Sequence, residues 1–189
     1  NHFFIGTGSG LFRAGIGDGR LKLLSDETVE SISTPVHELY YHAVSKQLFI
    51  GSYKEGVLIY DMEGTGKIIP CQSPNNVEIN QIVALNAHEL LVATGGKGVY
   101  KLDVNTCMSE PYITANYSSY NGMNGNNIND IYVDEEERIW LANYPTGITV
   151  RNNRYGSYDL IRHSLGNSRS LVNDQVHDVL EDSDGDLWF

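Results

Sequence analysis

Six histidines, 24 carboxylates and several glycine-rich turns are the groups in this 189-residue chain whose types suit chemistry. The histidines are His2, His37, His42, His88, His163 and His177, and no HxH or HxxxH spacing joins two of them as metal ligands. Asp182-Ser183-Asp184-Gly185-Asp186 offers oxygens to a calcium ion. An EF-hand loop needs more carboxylates and a distal glutamate, so the segment reads as a hairpin turn. GTGSG (6–10) and TGGKG (94–98) imitate phosphate-binding loops, but each leads into another strand-like run and not into a helix. There is no Gly-x-Ser-x-Gly and no His-Glu-x-x-His, so no nucleophile and base are paired by motif.

His37 and His177 stand apart because they occupy the same place in a repeat. Val36-His37-Glu38-Leu39, Ile79-Asn80-Gln81-Ile82, Ile128-Asn129-Asp130-Ile131 and Val176-His177-Asp178-Val179 start 43, 49 and 48 residues apart. Each start leads to an apolar run, a polar turn and a second run: LFIGS (48–52), LLVAT (90–94), IWLAN (139–143) and LWF (187–189). FFIGT (3–7) fills that slot near the N-terminus. A glycine, a third run (LFRA, VLIYD, VYKLD, ITVRN) and a weaker fourth run (LKLL, KIIPC, PYIT, YDLIR) follow.

Four short strands in about 42–49 residues is the period of a propeller blade. The fold class expected is all-β, a β-propeller fragment of four-stranded antiparallel blades. Three blades are complete (36–71, 79–114 and 128–163), with partial ones at 1–32 and 176–189. VLIY and IVAL are continuous apolar runs, as expected of strands buried on both faces between neighbouring blades. A blade cut at each end leaves apolar faces open, so these residues alone are expected to dimerise, swap strands or aggregate. No helix longer than one turn is expected.

Composition narrows the partners. A net charge of −11 argues against nucleic acid and anionic membrane surfaces. No run approaches the roughly 18 apolar residues of a membrane span. Cys71 and Cys107 are too few for a disulfide scaffold or a zinc site, and the count favours two unpaired thiols. Asn116-Tyr117-Ser118 is a glycosylation sequon, meaningful only in a eukaryotic source.

SLVNDQVHDVLEDSDGDLWF (170–189) closely resembles the repeat of the two-component regulator propeller, with its serine-leucine lead, Asp-x-x-Gly turn and Leu-Trp. NGNNINDIYVDEEERIWLANYPTGITVRNN (124–153) is a second copy, with Ala142-Asn143 where Gly-Thr is usual. Copies at 36–61 and 79–103 are degenerate, carrying Phe49 and Leu91 at the tryptophan position. The resemblance implies a periplasmic, non-catalytic sensor in a hybrid two-component receptor of Bacteroides-like bacteria. It implies an oligosaccharide ligand, a signal relayed to a histidine kinase elsewhere in the protein, the remaining blades as partners, and a homodimer. It implies no cofactor. A carbohydrate-active propeller enzyme, with carboxylates assembled from different blades, and a protein-interaction propeller stay open as alternatives.

Within that frame His37, Asn80, Asn129 and His177 sit where the innermost strand begins, beside the central channel. Their donors and acceptors suit sugar hydroxyls, or else satisfy backbone groups of the adjacent blade. Loops on the same face add Tyr53, Lys54, Glu55, Lys97 and Tyr144, with Tyr117 and Tyr120 in the insertion 115–127; tyrosines there suit stacking on a pyranose. Trp140 and Trp188 are expected at equivalent buried positions between blades.

Overall fold

The computed structural model describes residues 2–62, 66–115, 123 and 125–189. The strands form five separate antiparallel sheets, each pairing neighbours in chain order. The first holds β1 (His2–Thr7), β2 (Gly10–Gly17) and β3 (Arg20–Leu24), followed by a single helical turn, α1 (Glu27–Glu30). The second holds β4 (Val36–His42), β5 (Gln47–Ser52), β6 (Gly56–Asp61) and β7 (Ile68–Pro70). The third holds β8 (Ile79–Ala84), β9 (Glu89–Thr94), β10 (Gly98–Asp103) and β11 (Ser109–Ile113). The fourth holds β12 (Ile128–Val133), β13 (Arg138–Asn143), β14 (Gly147–Asn152) and β15 (Ser157–Ile161). The last is a pair, β16 (Leu180–Glu181) and β17 (Leu187–Trp188). The fold is all-β, with open, incomplete blades at both ends.

The core lies between the sheets. Phe49, Val57 and Ile59 of the second blade pack on Ile79, Ile82, Leu90 and Val92 of the third. Leu91, Ala93 and Val99 of the third pack on Ile128, Ile131 and Leu141 of the fourth. The middle strands are therefore buried along nearly their whole length: β5, β6 and β9 each carry five consecutive buried residues. The outermost strands are wet, and every residue of β3 is exposed.

Two small-residue positions let the blades meet. A Cβ on Gly51 would lie 2.8 Å from Ile79 Cγ2, so the glycine near the end of β5 makes room for the first residue of the next inner strand. Ala93 and Ala142, both fully buried, occupy the matching places in β9 and β13. The repeated glycine that opens each third strand is a turn residue: Gly98 has φ 79° and Gly147 φ 87°, in the left-handed region. In both, an added Cβ would also strike a carbonyl, that of Ile113 or of Ile161.

Three expectations are corrected. Cys71 and Cys107 form a disulfide that staples the outer edges of the second and third blades. Counting cysteines misses this because the repeat, not sequence proximity, brings residues 36 apart together. Trp140 packs between the fourth blade and Phe189, with ring centroids 6.0 Å apart, but is only partly buried, and Trp188 is 62% exposed, so neither is fully buried. The first strand expected over 176–181 is regular only at Leu180–Glu181. Its register sets Leu180 opposite Trp188 and Glu181 opposite Leu187. Val176 and Val179 still bury against the fourth blade.

Candidate functional site

Each inner strand begins with a bulge. The pairing register slips between Val36 and Glu38, between Ile79 and Gln81, and between Ile128 and Asp130. His37, Asn80 and Asn129 are thus the extra residues, freed from the ladder, and a bulge re-aims such a side chain. Asn80 donates from Nδ2 to the Ile128 carbonyl at 2.7 Å, and Asn129 donates to the Val176 carbonyl at 3.0 Å. The acceptor is the first residue of β12 in one case and Val176, at the matching repeat position, in the other.

The following residue makes the complementary contact. Glu38 accepts from the Ile82 amide at 3.4 Å, Gln81 from the Ile131 amide, and Asp130 from the Val179 amide at 2.8 Å. The donor is the fourth residue of β8 or β12, and Val179 at the matching repeat position before β16. At the third-to-fourth and fourth-to-fifth junctions, then, one side chain gives to a carbonyl and its neighbour takes from an amide. This two-point clasp joins blades whose strands share no ladder.

The acceptors differ in charge. Burial pushes the Glu38 carboxyl up, against the lowering effect of its backbone bonds to Ile82 and Leu39. Burial likewise raises Asp130, helped by a hydrogen bond to the neighbouring Asp178, to about 7. Asp178 also reaches the Val179 amide, at 2.9 Å. The charge of Asp178 also disfavours ionisation of Asp130.

The other candidate residues surround this ring of clasps. His37 and His177 are exposed, whereas Asn80 and Asn129 are half-buried. Tyr144 meets His177, with ring centroids 5.9 Å apart. Tyr53 is exposed on the loop between β5 and β6, whose backbone is tied to Pro35 and Val77. Beside it Glu55 accepts from Ser52 at 2.5 Å and from Thr34 at 2.6 Å. Burial pushes that carboxyl up, but the two hydroxyl bonds outweigh it and hold it below the usual range. Lys97 turns back to the Asn75 carbonyl at 2.9 Å. Tyr117, Tyr120 and the sequon lie outside the described residues.

At the opposite end of the blades the acidic turns hold tryptophans. Asp134 accepts from Trp140 Nε1 at 2.8 Å and from Arg138 at 2.6 Å; Asp182 accepts from Trp188 Nε1 at 2.7 Å. Asp182 spends its other oxygen on the Asp184 and Asp186 amides of its own turn. The Trp188 bond is first among the contacts that hold the Asp182 carboxyl low. For Asp134, burial raises the carboxyl, but the Trp140 and Arg138 bonds prevail and lower it. The aspartate and the tryptophan six residues later are one unit, and that spacing was present in the sequence. The polar residues of the clasps were visible at their repeat position, but their partners were not.

Comparison with known proteins agrees with this geometry. The family model for the two component regulator propeller matches residues 122–144 and 170–189. No curated protein matches. Among solved structures, the chain is similar to the extracellular domain of a B. thetaiotaomicron protein described as the hybrid two component system BT4673. The TM-score is 0.75 at 17% identity, over 99% of this chain and 24% of that one. The extracellular domain of BT3049 from the same organism gives a TM-score of 0.57 at 17% identity, over 98% of this chain and 30% of that one. The WD40 propeller of Doa1 gives 0.62 at 10% identity, over 95% and 56%. At these identities the likeness establishes the fold, and the chain spans about a quarter to a third of the length of the two B. thetaiotaomicron domains. In two segments, 122–144 and 170–189, this chain is similar to the repeat of the two component regulator propeller, and its strand pattern is that of a propeller.

Proposed function

We propose that these residues are part of the periplasmic sensor region of a hybrid two-component receptor, which recognises a glycan fragment without transforming it and relays the signal to a histidine kinase elsewhere in the protein. The observation that carries the reading is the pair of family repeats on a propeller fold, together with structural likeness to extracellular domains of such systems. The disulfide between Cys71 and Cys107 supports an oxidising compartment. The ligand is assigned to the face where the inner strands begin. Asn80 and Asn129 each give one donor to a clasp and are partly exposed. His37, Tyr53, Tyr144 and His177 supply hydrogen bonds and ring faces for a sugar. The other propeller blades complete the ring, and a second receptor chain completes a homodimer.

A glycan-binding screen of the intact receptor, with mass analysis of any bound glycan after prolonged incubation, tests this. Binding with the glycan recovered unchanged is the expected outcome. Cleavage or elimination products would replace the sensor with a carbohydrate-active enzyme.

A further inference from the structure

The junction between the second and third blades is fastened unlike the two that follow it. His37 stands where Asn80 and Asn129 donate, but it is exposed and among the described residues makes no bond to the Ile79 carbonyl. The acceptor half is also the longest of the three, 3.4 Å from the Ile82 amide to Glu38. At the outer rim of this same junction the Cys71–Cys107 disulfide joins the blades.

The backbone beside the disulfide is paired from one blade to the next. The Gln72 amide donates to the Cys107 carbonyl and the Ser109 amide to the Gln72 carbonyl, both at 2.9 Å. The Ser109 hydroxyl donates to the same Gln72 carbonyl at 2.9 Å. Gln72 and Met108 form an isolated parallel bridge, and among the described residues no other bridge joins the outer edges of two blades. Gln72 is exposed, and one residue pair is too short a ladder to hold unaided in water. From Cys71 the chain runs on to Val77, whose amide donates to the Tyr53 carbonyl at 3.1 Å, so segment 71–77 ties the rim to the loop that carries Tyr53.

We infer that this junction is redox-sensitive: the disulfide stands in for the donor that the clasp lacks here, and a dithiol reductant releases the rim while the clasped junctions stay closed. A thiolate of the reductant attacks Sγ of Cys107, the less buried partner, and a mixed disulfide forms as Cys71 leaves and takes up a proton. The second thiol of the reductant then closes its own disulfide and expels Cys107. The dithiol loses two electrons and two protons, and the Cys71–Cys107 pair gains them. Phe49, Ile79 and Leu90 still pack together between the blades, so the rim loosens and the blades do not part. The inference does not rest on the ligand assigned above.

Amide hydrogen exchange of the intact protein, oxidised and after treatment with dithiothreitol, tests it, with the mass gain of two hydrogens as the measure of reduction. On reduction Gln72 and Ser109 are expected to lose about tenfold or more of their protection, Ile82 and Val77 less, and Ile131 none. Cys71→Ser combined with Cys107→Ser should reproduce that pattern without reductant. In the reduced protein His37→Asn, which supplies the donor used at the other two junctions, should restore part of the protection lost at Ile82. A disulfide that survives about 10 mM dithiothreitol in the folded protein would overturn the inference. So would unchanged exchange at Gln72 and Ser109, an equal loss at Ile131, or no recovery at Ile82 in His37→Asn.

Discussion

The junction between the third and fourth blades and the junction between the fourth and fifth use the same clasp with different chemistry. At the first, Asn80 and the neutral amide of Gln81 hold the Ile128 carbonyl and the Ile131 amide. At the second, Asn129 and the carboxyl of Asp130 hold the Val176 carbonyl and the Val179 amide, with Asp178 alongside. The geometry is common, so it belongs to the fold. The charge is not, so only the second junction should respond to pH. Beneath the clasps the two also differ in apolar depth. The third-to-fourth core includes Leu91, Ile128, Ile131 and Leu141, whereas the fourth-to-fifth core sets Val176 and Val179 against Ala142, Ile148 and Val150.

The largest effect expected follows from that depth. Leu141→Ala should cost about 2–5 kcal/mol in denaturant unfolding, and Val179→Ala less, because valine gives up a smaller side chain than leucine. Equal losses would show that both junctions are packed alike. Next comes Trp140→Phe, which removes a hydrogen bond to an ionised aspartate and should cost about 1.5–3 kcal/mol. The matching change at the exposed Trp188 should leave the melting temperature unchanged. Full burial of Trp140 would have implied more, but the side chain is only partly buried.

The pH response separates the junctions more cleanly. Asp130 is raised to about 7 in the folded protein, against roughly 4 in an unfolded chain. The folded state therefore binds more protons than the unfolded one between these values. Stability falls as pH rises through that window, and the loss is complete above about 7. Asp130→Asn should flatten the fall, while Gln81→Glu should add a second one, in melting curves taken from pH 4 to 8. An Asp130→Asn profile parallel to the parent would place the titration elsewhere. Smallest is Asn80→Ala, which removes one neutral hydrogen bond and should cost about 0.5–1.5 kcal/mol.

Much of this architecture was legible before any coordinates. The repeated Val/Ile-polar-polar-apolar starts and the Gly-Ser, Ala-Thr and Ala-Asn endings gave the blades, because each motif encodes a contact that recurs around the ring. The aspartate and tryptophan of the turns were visible for the same reason. The site was less legible. A polar residue at a bulge reads identically whether it faces a ligand or the next blade, and only the distances from Asn80 to Ile128 and from Asn129 to Val176 separate the two roles. The Cys71–Cys107 pair and the Arg151–Tyr112 stack were hidden because each joins different blades at positions that do not repeat.

Amide hydrogen exchange at Ile131 in the parent protein and in Gln81→Met tests the clasp most directly. Methionine keeps the volume of glutamine but cannot accept this bond in its place. The account predicts that Ile131 is strongly protected in the parent and loses protection in the variant, while Ile82 and Val179, held by Glu38 and Asp130, keep theirs. Unchanged protection at Ile131, or an equal loss at all three amides, would contradict a clasp built one junction at a time.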